Sequence, residues 1–143
     1  MMLDSMGDDL VKAMYETLPL ELTLIDAEDR VAGWNHHYDR LFYRPLTSMG
    51  QDFRECHPKE SLALVERIVD EMREGKRDRA RFWIDLVVDK ASGEKHKVLI
   101  EFFALRDQKG KYLGCMECSQ DLAGLRALEG ERRLMDEAGE GGA

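Results

Sequence analysis

Lys97-Val-Leu-Ile-Glu-Phe-Phe-Ala-Leu-Arg-Asp-Gln-Lys-Gly-Lys-Tyr-Leu-Gly-Cys-Met-Glu-Cys-Ser-Gln-Asp121 reads as two strands and the turn between them. Val98 to Leu105 is almost wholly apolar and rich in β-branched and aromatic residues, which suit a pleated surface. Asp107-Gln108-Lys109-Gly110 supplies the turn, and Tyr112 to Ser119 returns antiparallel. Val98, Ile100, Phe102 and Ala104 alternate with Leu99, Phe103 and Leu105, so apolar side chains fall on both faces. A sheet with one wet face would alternate apolar with polar instead. Both faces of this hairpin therefore call for cover, one from the chain's own helices and the other from a further element or a second molecule.

Outward from the hairpin, Asp8-Asp9 with Leu10, Val11, Met14 and Leu18 marks an acidic helix start and an amphipathic helix closed near Pro19. Leu20 to Asp26 and Arg30 to Trp34 read as a first pair of strands around a turn at Ala27–Arg30. Asn35 reads as the cap of a short helix from His36 to Arg44, ended by Pro45. Pro58 opens a helix from Lys59 to Glu74 whose stripe is Leu62, Val65, Ile68, Val69 and Met72, with Gly75 as its stop. Arg79 to Val88 is a third strand that precedes the hairpin. A last helix is expected from Asp121 to about Glu137, with Leu122, Leu125, Leu128 and Met135 on its apolar edge. The expected fold is α+β, a five-stranded antiparallel sheet with helices on one face and flanking N- and C-terminal helices. In domain terms, residues 1–8 read as a tail, 9–120 as the folded domain with its first helix, 121–137 as a C-terminal linker helix, and 138–143 as a frayed end.

The chain has 143 residues, room for a single core. Its 21 basic against 29 acidic residues give a net charge of −8, which argues against a nucleic-acid-binding face. No apolar run reaches the length of a membrane span, and no basic then apolar leader opens the chain, so a cytoplasmic protein is expected. The three cysteines, Cys56, Cys115 and Cys118, favour free thiols over a disulfide framework. Cys115 and Cys118 are spaced C-x-x-C, but on a strand their sulfurs diverge, and a redox pair usually opens a helix.

Certain residues in this order resemble a PAS domain. Asp26-Ala27-Glu28-Asp29-Arg30 followed by Trp34-Asn35 is similar to the family's D-x-x-G-x-I-x-x-x-N. Asp107-Gln108-Lys109-Gly110, Gly114 and Asp121-Leu122-Ala123 are similar to its R-D-x-x-G-x-x-x-G and closing D-I-T. Glu55-Cys56-His57-Pro58-Lys59-Glu60-Ser61, Phe82-Trp83-Ile84 and Leu125 to Leu134 resemble the PAS subgroup often appended to hemerythrin-like proteins. The four histidines here are not placed for a di-iron bundle, so a PAS unit alone, or one cut from a longer protein, is expected. The resemblance implies a sensory or regulatory domain that binds a small molecule between sheet and helices and signals through its terminal helix. The alternative is an interaction or dimerisation module with a filled core.

Ligand-binding candidates are His57, Trp83, Tyr38, Phe42, Phe102, Cys56 and Glu117. Trp83 qualifies if it, rather than its neighbour Phe82, points inward. Tyr38 and Phe42 lie one turn apart if the short helix forms. No dedicated metal site is read from the sequence. His57 is the one candidate axial haem ligand, against the simpler reading of a turn histidine before Pro58. A flavin photosensor is disfavoured, because Glu55 and His57-Pro58 flank Cys56 where that subgroup has Asn-Cys-Arg-Phe-Leu-Gln. No nucleophile with a base, phosphate loop or zinc motif supports an enzyme. The expected partners are an unidentified small molecule, a downstream signalling protein and a second copy, docked through the first helix and the outer sheet face.

Overall fold

The computed structural model describes residues 2–36 and 38–134. A 3-10 turn, Met2–Ser5, precedes α1 (Asp8–Thr17), β1 (Glu21–Asp26) and β2 (Val31–Trp34). An irregular segment and a 3-10 turn lead to α2 (Phe53–Cys56) and α3 (Lys59–Arg73). Then come β3 (Arg79–Asp89), β4 (Glu94–Arg106), β5 (Tyr112–Asp121) and α4 (Ala123–Arg126). The strands form one sheet in the order β2-β1-β5-β4-β3, and every pairing is antiparallel. The fold is α+β, with the five-stranded antiparallel sheet that the sequence pattern implies.

Register decides which side chains meet. Ala80 opposes Phe102, which opposes Glu117, which opposes Thr23, so these four lie in one row on the inner face. Ile25, Val98, Ile100, Phe102 and Cys115 from this face pack with Val65, Ile68, Val69 and Met72 of α3 and with Phe53 of α2. The α3 stripe read from the sequence is thus the core stripe, with Leu62 at its half-buried edge. Gly75, at φ 76°, ends α3 in the left-handed region that glycine tolerates.

The opposite face carries Leu22, Leu99, Glu101 and Cys118, all buried, and its cover is uneven. Helix α1 lies on this side: the Tyr15 hydroxyl is 3.9 Å from where a Cβ on Gly33 would stand, and Gly33 pairs with Leu24. Across β3 and β4 the cover is mostly side chains, with Leu122 and Arg126 of the α4 turn beside Leu99 and Trp83. Arg79 donates to Glu101 at 2.6 Å and stacks over Phe103. Long arginine stems can shield apolar surface while their heads stay wet. Trp83 stays 62% exposed at this end.

Three expectations change. No helix forms at 36–44, because its amides and carbonyls are taken by side chains instead. Glu21 accepts from the Leu41 and Phe42 amides at 2.8 and 2.9 Å, and Arg40 donates to the Asn35 and Phe42 carbonyls. His36 sits at φ 52°, outside the helical region. Asn35 caps no helix. Fully buried, it accepts from the Leu22 amide at 2.7 Å and donates to the Tyr15 and Leu20 carbonyls, tying α1 to the first hairpin. The last helix is one turn, ending at Arg126, although the sequence pattern extended it to about 137. Gly124 sits in that turn and Gly130 adopts φ 62°, while Leu125, Leu128 and Leu134 are exposed. An apolar edge left mostly exposed gives a short helix little support. The expected residues 135–137 of that helix and the tail 138–143 lie outside the described residues, as does His37.

Candidate functional site

Between the inner sheet face, the segment 41–44 and the start of α3 lies a cavity of about 450 Å³. Its volume falls within the range of small-molecule sites. The floor is apolar: Phe82, Ile84, Ile100 and Phe102. Phe82 and Phe102 stack with ring centroids 6.0 Å apart. Leu41, Phe42 and Tyr43 form one wall, and Cys56, His57, Pro58 and Ser61 another. Arg44 and Glu117 supply the charged end.

Several of the polar groups are held by neighbouring side chains. Ser61 Oγ and His57 Nδ1 are 3.1 Å apart, which fixes the ring. Burial, reinforced by Arg44, pulls His57 below the ordinary histidine pKa, towards the neutral imidazole. The Cys56 thiol donates to Gln51 Oε1 at 3.3 Å. Glu117 is 9% exposed, and burial pushes its carboxyl upward, with Arg44 and Arg40 opposing and Glu21 reinforcing. Behind this end sits a buried ion pair, Arg40 Nη2 to Glu21 Oε1 at 3.0 Å, with Arg40 also donating to Thr23 Oγ1. Arg44 Nε donates to the same hydroxyl at 2.9 Å.

Of the residues singled out by sequence, His57, Phe42, Phe102, Cys56 and Glu117 meet at this cavity. Trp83 and Tyr38 do not. Trp83 opposes Leu99, whose parity is opposite to that of the core residues Val98, Ile100 and Phe102, so Phe82 points inward and Trp83 outward. Tyr38 is 97% exposed on a segment that is not helical, so the shared wall with Phe42 does not form. Sequence reasoning passed over Arg44, Ser61, Phe82, Ile84 and Ile100. Once Phe102 is taken as inward, strand alternation gives Ile100, and antiparallel pairing gives Phe82 opposite it. Nothing in the local sequence marks Arg44, because its place depends on the side-chain bonds that hold the irregular segment.

Other candidates fall elsewhere. Glu101 is on the outer face with Arg79. Cys115 is buried against Met72, its Sγ 3.6 Å from the thioether, and burial raises its thiol to about 12. Cys118 lies on the opposite face, opposite Glu101 and Leu22, so the two sulfurs diverge. Among the described residues, no group of three or more His, Cys, Asp or Glu side chains is arranged to hold a metal ion.

At the exit from β5, His96 Nδ1 and Asp121 Oδ2 are 2.6 Å apart, and His96 Nε2 and Glu94 Oε1 are 3.1 Å apart. Both carboxylates raise the His96 pKa above the ordinary 6.5, Asp121 first. Its stabilising effect is complete below that ordinary value and is lost as pH rises through the folded-state value. His57 acts in the opposite sense: its lowered pKa makes stability fall as pH drops below 6.5. Urea unfolding followed across pH 5 to 9 is expected to show decline on both sides, the alkaline limb flattening in His96→Gln and the acid limb in His57→Gln. A limb unchanged by its substitution would show that the other titrations govern it.

A protein-family model described as PAS domain matches residues 11–123. Among solved structures, the C-terminal domain of a Streptococcus mutans protein is 25% identical with a TM-score of 0.74, covering 87% of this chain and 91% of that one. The PAS domain of Bordetella pertussis BvgS is 16% identical with a TM-score of 0.58, covering 79% of this chain and 84% of that one. VqmA bound to DPO, a protein of Vibrio cholerae, is 17% identical with a TM-score of 0.60. That match covers 81% of this chain and 58% of VqmA. No curated protein matches the chain. With the family model spanning most of its length and the same five-stranded sheet enclosing the cavity, the chain belongs to the PAS domain family.

Proposed function

We propose that this PAS domain is a sensory or regulatory unit, not an enzyme, that holds a small organic molecule in the cavity and passes its state on through the segment after Asp121. The cavity carries this reading: about 450 Å³ of space, apolar on its floor and lined by His57, Arg44 and Glu117 at its polar end. A core filled for packing alone would leave few voids larger than a water molecule. The path outward is short. Strand β5 carries Glu117 at the cavity and Asp121 at the exit, where Asp121 accepts from the Ala123 amide and the Leu122 amide bonds the Lys97 carbonyl. Sharing this fold with a Vibrio cholerae sensory box histidine kinase, and with VqmA, whose solved forms include one bound to DPO, supports the reading. The residue pattern around Glu55–Ser61 and Leu125–Leu134 supports placing the chain in the subgroup appended to hemerythrin-like proteins.

Mass spectrometry of the purified protein, under native and then denaturing conditions, tests this. The reading expects a discrete non-covalent adduct below about 1 kDa, since a cavity of this size bounds a drug-sized ligand. Protein that never carries such an adduct, from any host or lysate, would sink it. The absorption spectrum separates the haem case: a Soret band abolished in His57→Gln would assign His57 as an axial ligand.

A second reading concerns partners. The exposed Trp83 lies with Leu99 and Leu122 in a shallow groove rimmed by Arg81, Lys97 and Arg126, and Leu10 and Met14 of α1 are exposed on the same side of the sheet as Tyr15. A homodimer through α1 and the outer sheet face would cover these residues. VqmA is described as a dimer. Light scattering is expected to give twice the monomer mass for the native chain and the monomer mass for Trp83→Gln. A monomeric native chain at high micromolar concentration would reject this arrangement. No nucleic-acid face is proposed, given the net charge of −8. Among the described residues no helix is long and apolar enough to cross a membrane, and a cytoplasmic location is part of this proposal.

A further inference from the structure

The charged end of the cavity is unevenly satisfied. Arg40 is fully engaged: it pairs with Glu21 at 3.0 Å and donates to Thr23 Oγ1 and to the carbonyls of Leu22, Asn35 and Phe42. Arg44 is not. Its Nε–H bonds Thr23 Oγ1, but its nearest carboxylate oxygen, Glu117 Oε1, stands 3.8 Å from Nη2, beyond hydrogen-bond distance. Among the described residues neither Nη group has a hydrogen bond, although the side chain is only 13% exposed. Among the described residues Glu117 accepts no hydrogen bond either, with its side chain 11% exposed. Buried charges ordinarily sit in paired, hydrogen-bonded arrangements. Here the two Nη groups of Arg44 and the Glu117 carboxyl, an ion pair at 3.8 Å, share one wall of an apolar chamber with no hydrogen bond between them.

We infer that the cavity selects a small organic monoanion, with a carboxylate head on the Nη groups of Arg44 beside Glu117 and an apolar or aromatic tail over Phe82, Ile100 and Phe102. The inference rests on the ligand-chamber reading above and adds the chemical class of the ligand. A guanidinium with both Nη groups unspent matches a planar two-oxygen acceptor. A ligand ammonium paired to Glu117 would lie close to Arg44, with Arg40 behind it, and the like charges would oppose it. A dianion is disfavoured because only one arginine has donors to spare and Glu117 stands beside it. Glu117 can join a monoanion by holding a proton: a neutral carboxyl donates to the ligand's carboxylate. Burial already pushes this carboxyl towards its neutral form, against Arg44 and Arg40 and with Glu21. Where Glu117 is ionised in the free protein, binding takes up one proton, and affinity weakens as pH rises. The other titratable groups around the cavity are Glu21, tied to Arg40, His57, tied to Ser61, Cys56, tied to Gln51, and Tyr43.

Isothermal titration with three probes of one tail tests the inference: 3-phenylpropanoate, 3-phenylpropanamide and 3-phenylpropylammonium. The acid is expected to bind at least about tenfold more tightly than the amide or the amine, as hydrogen bonds to a charged group warrant. Arg44→Met should erase that preference while keeping amide binding. Arg44→Lys retains the charge without the fork, should weaken the acid several-fold, and serves if the methionine variant does not fold. Glu117→Gln should still bind the acid but lose the proton uptake, read from the dependence of the binding enthalpy on buffer ionisation. Tighter binding of the amide or the amine, an acid preference that survives in both Arg44 variants, or no binding of any probe would overturn the inference. The ligand-chamber reading is judged separately, by the adduct in native mass spectrometry, and an adduct that is a cation would overturn the anion class while leaving the chamber standing.

Discussion

Gly114→Ala is expected to destabilise the domain by about 3 kcal/mol or more and to lower its melting temperature by roughly 10 °C. A Cβ at this position would lie 2.2 Å from the carbonyl oxygen of Ile25 and 3.2 Å from Asp26 Cα. Both are backbone atoms of the neighbouring strand, so no side chain can swing aside. The residue also sits at φ 152°, where a side chain is strained regardless of space. Strands β1 and β5 are joined here at the middle of the sheet, so relief by separation would break their pairing at Ile25 and Asp26. Thermal unfolding by circular dichroism checks it. A shift of only a degree or two would mean that the two strands do not approach this closely.

The second large effect is expected at Arg40. Its side chain is 2% exposed and its removal in Arg40→Met leaves Glu21 charged and buried, at a cost of about 3–5 kcal/mol. The same substitution frees the carbonyls of Asn35 and Phe42 and loosens the cavity wall Leu41–Arg44. Glu21→Gln in the same chain removes the stranded charge, so the double variant should be more stable than Arg40→Met alone. Urea unfolding of the two single variants and the double variant measures the coupling. A double variant less stable than the native chain by the sum of the two single effects would show that the two groups do not act as a pair.

The sheet is open to sequence reading because apolar β-prone runs and turn residues are local properties. Val98 to Leu105, the turn at Asp107–Gly110 and the return to Ser119 follow from them, while the α3 stripe ending at Gly75 follows from helical spacing. The PAS-like motif residue Gly114 was also visible as a letter, though its reason, the Ile25 carbonyl, lies 89 positions away across the sheet. The segment from Asn35 to Arg44 was not legible. Its helical appearance is real as propensity, but Glu21, Asn35 and Arg40 satisfy the backbone in a non-helical course, and side-chain bonds of that range leave no periodic trace. That one difference removed Tyr38 from the site and brought in Arg44. Trp83 went astray for another reason: alternation says that Phe82 and Trp83 part company but not which turns inward. Only the pairing of Phe82 with Ile100 and of Trp83 with Leu99 decides it. The short final helix shows the limit of an apolar edge, since Leu125 and Leu128 stay exposed.

The claim beneath this account is that the space above Phe82 and Phe102 exists to be occupied by a molecule other than water. A crystal structure of the native chain, purified without added ligand and refined to a resolution at which single waters are distinct, measures it most directly. The account predicts continuous density for an organic molecule between the Phe82–Phe102 stack and His57, ending at Arg44 and Glu117. A chamber closed by the side chains of Phe42, Ile84 and Ile100, or one holding only separate waters, would contradict it.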